Sequence, residues 1–232
     1  MKRELINIVN GFKFVPGSAY LEGLGDDAYL SFKRFYDAQV KPDPYAAVRD
    51  RAMIKIVYDR KTAQIRLNPN QSYFQSYGAN DSDGGRVRVF PAIDESILEN
   101  RVFRHLFQCD STYIDEYCDR VRQEIVNISV HFIRYKANCG GASYSSPVWL
   151  HLDDEPLVFI HLIELTRNAI GADSVISEMD SKPTNVLRLS NPFDTLIVDR
   201  AKKHAVTPLG ATQGTAYRDV MLVNLEAEVQ QK

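Results

Sequence analysis

The sequence predicts a mainly β protein, a sandwich or jelly roll with flanking helices. Three observations carry this. Beyond Arg122 the chain reads as short strands almost to its end. Those runs are rich in Val, Ile, Leu and Tyr, and turn-forming residues divide them at short intervals. Helical periodicity occupies two early stretches, so the strand–helix alternation of a parallel βαβ fold is missing.

The elements follow in order. The first forty-odd residues mix helix and turn signals. Asp26 and Asp27 precede AYLSFKRFYDAQV, where Tyr29, Phe32, Phe35 and Tyr36 recur at three- and four-residue steps, the spacing of one helix face. The two prolines of KPDPY stop that helix. From about Arg51, MIKIVY, AQIRL and RVRVF read as strands, parted by NPNQ and ANDSDGG. A second helix is expected near 94–120, burying Ile97, Leu98, Val102, Leu106 and Tyr113. Later strands are expected in EIVNISVHFIRYKA, SPVWLHLD, EPLVFIHLIEL, DSVIS, NVLRL, DTLIVD, HAVTPL and YRDVMLVNLEAE. With no repeat, low-complexity tract or linker, the chain reads as one domain over 1–232. It comprises a helical and turn extension over 1–48 and a β core over 49–226, with the helix inserted near 94–120.

The 232 residues are 44% hydrophobic and 25% charged, enough apolar material for one sizeable core. The net charge is -2 and basic residues sit beside acids, so neither a nucleic-acid nor a membrane-surface partner is indicated. The start, MKRELINIVNGFKFV, has no long apolar run and no small-residue cleavage site, and is not expected to be a leader peptide. No stretch approaches the roughly 20 apolar residues of a membrane span. The three cysteines, Cys109, Cys118 and Cys139, form no C-x-x-C pair and are expected as free thiols in a reducing cytoplasm.

His151-Leu152-Asp153 is the cluster that carries chemistry. Side chains two apart on a strand face the same way, so His151 and Asp153 are expected to project together, with Trp149 on the same face. Alone, such a pair is weak evidence, because chance supplies it at strand ends. His204, 51 residues after Asp153, is the best third ligand. Two histidines and one carboxylate form the facial triad of non-haem iron(II) oxygenases and leave coordination positions open. Arg218 lies 14 residues further on and leads into an apolar run. Buried there, a guanidinium needs an anion. The distal carboxylate of 2-oxoglutarate suits it; a salt bridge to Asp219 or Asp199 is the structural alternative.

The order H-x-D, His, Arg resembles the double-stranded β-helix 2-oxoglutarate oxygenases. The strings YFQS (73–76), DGGRVRVF (83–90), IRYKA (133–137), SSPVWLHLDDEPLVFIHL (145–162), HAVTPLG (204–210) and YRDVMLV (217–223) resemble the bacterial L-isoleucine 4-hydroxylase family. The resemblance spans roughly residues 70–225 and is faint before residue 45. It implies a cupin-like jelly roll and an Fe(II)/2-oxoglutarate-dependent dioxygenase that uses O2. Its substrate would be a free amino acid, isoleucine-, leucine- or methionine-like or a related non-proteinogenic chain. Its products would be the alcohol, succinate and CO2. Carried over, the metal ligands fall on His151, Asp153 and His204, and the 2-oxoglutarate anchor on Arg218. The related halogenases lack the carboxylate ligand, so Asp153 speaks against halogenation.

For the substrate's polar groups Arg88, Arg134, Tyr135 and Trp149 are the candidates. Arg134 and Tyr135 are neighbours on one strand, so only one can point inward. Each could equally serve a surface or salt-bridge role. His131 and His161 read as hydrogen-bonded core residues, and His105 carries no assigned role. Asp154 and Glu155 read as a turn before Pro156, with orientation of the ligands as the alternative. Gly84 and Gly85 form a turn and do not cradle phosphate. Tyr73, Phe74 and Tyr77 form either a lid or ordinary packing. Desaturation or ring closure on an amino acid is the rival outcome within the chemistry. A cupin-like metal-binding protein or sensor is the rival from another class. A cytoplasmic enzyme is expected, with a homodimer left open.

Overall fold

A computed structural model describes residues 11–81 and 83–226. The leader expectation for residues 1–10 and the last strand's continuation over 227–228 lie outside the described residues. In chain order the described strands are β1 (Phe12–Val15), β2 (Lys41–Pro42), β3 (Arg49–Asp59), β4 (Gln64–Leu67), β5 (Tyr73–Phe74), β6 (Val87–Arg88), β7 (Ile125–Asn138), β8 (Leu157–Leu165), β9 (Ala169–Gly171), β10 (Ser174–Ser177), β11 (Pro183–Leu187), β12 (Thr195–Asp199), β13 (Lys203–Val206), β14 (Leu209–Ala211) and β15 (Thr215–Leu225). The helices are α1 (Gly17–Leu21), α2 (Ala28–Gln39) and α3 (Arg101–Val121), with a 3-10 turn over Glu95–Glu99.

The fold is a jelly roll of antiparallel sheets. One large sheet runs in the order β1-β12-β8-β15-β7-β3-β2, with β4 on β3. Smaller sheets, β11-β10-β13 and β14-β9, close the other side, stitched by isolated bridges at Ser143–Leu209 and His151–His204. The helices pack on the outer face of the large sheet. There Phe32 and Tyr36 of α2, with Phe103 and Leu106 of α3, meet Ile54, Phe132, Phe159 and Met221. The inner face carries Ile133, Leu162, Leu196, Val198 and Val220, packed with Ile176 of β10. A strand covered on both faces needs apolar side chains at consecutive positions, which explains the unbroken runs of β3, β8 and β15. Each such large side chain contributes roughly 1.5–3 kcal/mol by leaving water.

The expected first helix corresponds to α2. The second begins later than expected, because Asn100 is extended (φ -66, ψ 117) and caps α3 through its side chain, which accepts from the Val102 and Phe103 amides. Residues 95–99 form the separate 3-10 turn. Two further readings need correction. Within the stretch read as helix and turn, Phe12–Val15 forms β1 and pairs with β12 at the sheet edge. The strand expected over SPVWLHLD does not form; only the bridge at His151 is present.

Among the described residues, no helix is long and apolar enough to cross a membrane, and the three cysteines are free. His161 is a satisfied core residue, as expected. Its Nε2 lies 2.9 Å from Asp110 Oδ2 and its Nδ1 2.8 Å from Thr195 Oγ1. The Tyr20 hydroxyl donates to the other Asp110 oxygen at 2.7 Å.

Candidate metal centre and its cavity

His151 and His204 face each other across an antiparallel bridge, each amide donating to the other's carbonyl at 3.0 Å. Residues paired this way project to the same side, and the two ring centroids lie 4.5 Å apart. Cross-strand pairing therefore joins the histidines, and the irregular chain after His151 brings Asp153 to them. Asp153 Oδ1 is 3.5 Å from His151 Nε2, and Oδ2 is 3.3 Å from His204 Nε2. Ligand atoms of the three lie within 4.8 Å of one another.

This set fits a first-row metal ion. Bonds of about 2.0–2.2 Å to imidazole nitrogen and carboxylate oxygen, at right angles, separate neighbouring donor atoms by about 3 Å. His151 Nδ1 sits 2.8 Å from the Trp149 carbonyl, so it carries the proton and Nε2 is left as the lone-pair donor. His204 Nδ1 is buried with no hydrogen-bond partner. Burial works against charge on Asp153, but the two imidazoles overcome it and hold the carboxyl well below the usual range. At His151 burial acts downward, while the Asp153 hydrogen bond and charge act upward and prevail. Glu155 is pushed up to about 8, by burial first and then by the Asp153 charge.

The three open onto a cavity inside the jelly roll. Its aliphatic walls are Ile133, Val158, Ile160, Leu196, Val220 and Leu222, and its polar lining includes Arg49, Arg51, Gln75, Tyr135 and Arg218. Arg218 follows from β15 alternation: Arg218, Val220 and Leu222 face inward, while Asp219 and Met221 face the helices. The guanidinium is buried. The Tyr135 ring lies 5.9 Å from it, centroid to guanidinium. Neither acid of the salt-bridge alternative reaches it. Asp219 takes Arg134 through both oxygens and lies 3.4 Å from Lys33. Asp199 accepts from the Ala201 amide. Burial lowers the Arg218 pKa, the mark of a cation without a partner.

The other candidates divide. Tyr135 lines the cavity. Arg134 points the opposite way, held by Asp219 and Asp37, and the structure does not bring it to the cavity. Trp149 is 53% exposed; it contributes its carbonyl to His151, and its indole is not among the lining groups. Arg88 is buried behind the wall and donates to Gln75 Oε1 at 2.7 Å. Asp154 does more than turn the chain, since its carboxylate accepts from the Ser76 amide and hydroxyl. That ties the 73–76 segment to the metal motif. Tyr73 is buried and its hydroxyl donates to Glu155 at 3.1 Å, whereas Phe74 and Tyr77 are exposed. Arg49 and Arg51 were not anticipated. The signal was present in RDRAMIKIVY, where Arg49, Arg51, Met53 and Lys55 alternate onto one strand face.

A family model described as 2OG-Fe dioxygenase matches residues 34–224. The chain is 34% identical over 228 residues to the 3(1)-hydroxy-L-isoleucine 4-dioxygenase of Pantoea ananatis, covering 93% of this chain and 92% of that one. It is 32% identical to the L-isoleucine-4-hydroxylase of Bacillus thuringiensis over 214 residues, covering 92% and 89%. Among solved structures, IDO from Bacillus thuringiensis superposes with a TM-score of 0.78 at 26% identity, covering 94% of this chain and 90% of that one. A bsmA homolog from Methylobium petroleophilum PM1 shares the fold, with a TM-score of 0.82 at 17% identity over 95% and 90%. The similarity thus extends well before residue 70, beyond the strings that first carried the resemblance.

Proposed function

Since the chain belongs to the 2OG-Fe dioxygenase family, we propose that it hydroxylates a free, branched aliphatic L-amino acid, with L-isoleucine or a hydroxylated isoleucine as first substrates. As a member of that family it is an oxidoreductase using Fe(II), 2-oxoglutarate and O2. One observation carries the substrate reading: a single cavity combines the His151–Asp153–His204 trio, a buried Arg218 without an acid, and a wall of branched aliphatic side chains. The names of the two curated relatives agree with it.

In this reading His151 and His204 offer Nε2, and Asp153 one carboxylate oxygen, to iron. The bound iron, 2-oxoglutarate and oxygen together supply the oxidising power that turns a C–H bond into C–OH, with succinate and CO2 released. Arg218 would hold the distal carboxylate of 2-oxoglutarate, since a guanidinium can donate to both oxygens of a carboxylate. The Trp149 carbonyl fixes the His151 ring. Ile133, Ile160, Val220 and Leu222 receive an aliphatic chain and exclude water from it. The Asp153 carboxylate speaks for oxygen transfer over halogenation. Neither desaturation, ring closure nor a non-catalytic sensor role is favoured by the relatives. The reading takes 1–232 as one domain, and the three free thiols suit a cytoplasmic enzyme.

The test is purified protein with Fe(II), ascorbate, 2-oxoglutarate and a panel of free L-amino acids, read by mass spectrometry. Amino-acid-dependent succinate, with a product heavier by one oxygen, is expected. Absence of turnover with every amino acid, together with no binding of 2-oxoglutarate, refutes the reading.

A further inference from the structure

The cavity holds a second set of hydrogen-bond donors that the cosubstrate leaves unused. 2-Oxoglutarate carries two carboxylates. One would go to the metal and the other to Arg218, so one remote cation is enough for it. Yet Arg51 of β3 also lines the cavity, 6% exposed, and no acid among the described residues pairs with it. It sits opposite Ile133 of β7, which in turn sits opposite Val220 of β15. At about 4.8 Å per strand, Arg51 lies about 10 Å across the sheet from the strand of Arg218. The two arginines therefore enter one chamber from strands two apart.

Arg51 is fixed from behind by groups that leave its charge intact. Its Nη2 lies 3.0 Å from His131 Nδ1. An arginine can only donate, so His131 Nδ1 accepts, and its protonated Nε2 faces Ser129 Oγ at 3.2 Å. Burial, and then Arg51 itself, keep His131 neutral by lowering its pKa well below the ordinary histidine value. The Phe90 ring lies under the guanidinium, 3.9 Å from its centroid. Nε of Arg51 is buried with no partner. A neutral imidazole and an aromatic face hold the side chain in place without neutralising it. Burial pushes the guanidinium down to about 10, so it remains charged at neutral pH.

Gln75 is built the same way. Its Oε1 accepts from Arg88 Nη2 at 2.7 Å and from Asn80 Nδ2 at 3.2 Å. Because Arg88 only donates, the amide orientation is fixed and the Gln75 NH2 group is turned away as a donor. Gln75 lines the same cavity as Arg51. Arg51 and Arg88 both stand over the Tyr73 ring, 5.5 and 5.1 Å from its centroid, which places the two assemblies side by side. Arg49 also lines the cavity, but Asp43 neutralises it.

We propose that Arg51 and Gln75 bind the α-carboxylate of the amino-acid substrate, with His131 and Arg88 as the positioning residues behind them. This rests on the amino-acid reading of the site. It explains why the second cationic anchor lies across the sheet from Arg218, and why its supports are neutral or purely donating. A carboxylate there would accept from the buried, unpartnered Nε of Arg51, with the Gln75 NH2 donating beside it.

The experiment uses the full chain loaded with Fe(II) and 2-oxoglutarate under anaerobic conditions. Calorimetry measures L-isoleucine and 2-oxoglutarate binding to the wild type, Arg51→Gln, Arg51→Lys and Gln75→Leu, with turnover measured separately in air. For Arg51→Gln, L-isoleucine affinity should fall about 30-fold or more, while the 2-oxoglutarate Kd moves less than threefold. Arg51→Lys should recover part of the loss, and Gln75→Leu should cost about tenfold. In the wild type L-isoleucinamide should bind at least 30-fold more weakly than the acid, and Arg51→Gln should erase most of that difference. If the Arg51 variants do not fold, the wild-type comparison decides, and an amide bound within threefold of the acid overturns the proposal. So does a folded Arg51→Gln that binds L-isoleucine normally, or one that loses 2-oxoglutarate instead. A wild type that binds 2-oxoglutarate but no amino acid overturns the functional reading itself, a separate result.

Discussion

Arg218→Met should make the substrate-free protein more stable and abolish its response to 2-oxoglutarate. Arg218 is 5% exposed, and no acid among the described residues pairs with it. Desolvating one ion costs several kcal/mol, against which the Tyr135 ring at 5.9 Å returns about 1 kcal/mol. Methionine keeps much of the apolar stem and removes the charge. A net gain of about 1–3 kcal/mol follows, or roughly 2–12 °C in Tm for a chain of this size. Cosubstrate acts in the opposite sense. At 100 times its Kd, 2-oxoglutarate should stabilise the iron-loaded wild type by about 2.7 kcal/mol. The variant, having lost a buried charge-assisted contact of about 3–5 kcal/mol, should bind about two to four orders of magnitude more weakly and shift by less than about 0.5 kcal/mol. The assay is thermal unfolding with and without 2-oxoglutarate, in a buffer free of phosphate and carboxylates. A variant less stable than the wild type by more than 1 kcal/mol would show that Arg218 is paired within the protein. A full 2-oxoglutarate shift in the variant would remove its anchoring role.

Three further outcomes are expected. Asp110→Ala should lower stability by about 3–5 kcal/mol in urea unfolding, because it strips His161 and the Tyr20 hydroxyl of a fully buried partner; a loss below 1 kcal/mol contradicts the network. His131 has its folded pKa depressed well below 6.5, so its contribution is complete above pH 6.5 and is lost as pH falls from there toward the folded value. The slope approaches 1.4 kcal/mol per pH unit. His131→Asn should flatten that acid limb, and an unchanged pH–stability curve refutes the assignment. Arg134→Met should destabilise by about 1–3 kcal/mol, since it leaves the buried Asp219 carboxylate with Lys33 at 3.4 Å. The KM for 2-oxoglutarate and for the amino acid should not change, and a tenfold change in either would return Arg134 to the site.

What could be read from the sequence depended on whether local order fixes geometry. His151, Asp153 and His204 were legible because an ordered set of ligand types has few other uses. Their juxtaposition does not come from strand alternation, however. No strand runs through Trp149–Asp153; a single bridge to His204 orients His151. Without that strand Trp149 turns its indole outward and offers the centre only its carbonyl. β1 was hidden because four residues between turns carry too little periodicity, and only pairing with β12 makes them a strand. The choice between Arg134 and Tyr135 could not be made locally, because alternation allows one of them inward without saying which. The acids decide it: Asp219, next to Arg218 and opposite Arg134 in the β15–β7 register, captures Arg134 on the helix side.

Arg51 marks the boundary of local reading. Its strand face shows in RDRAMIKIVY, but its environment comes from His131 and Phe90, which are 80 and 39 residues away in sequence. A charged residue ahead of an apolar run reads as a solvated strand end unless those supports are known. The contrast among the three arginines turned into this cavity is informative. Arg49 has Asp43, while Arg51 and Arg218 have aromatic faces and, among the described residues, no acid. A protein gains no stability from leaving two desolvated cations unneutralised. Two anions arriving separately give each a partner, and the chemistry proposed here brings two, one on the cosubstrate and one on an amino acid.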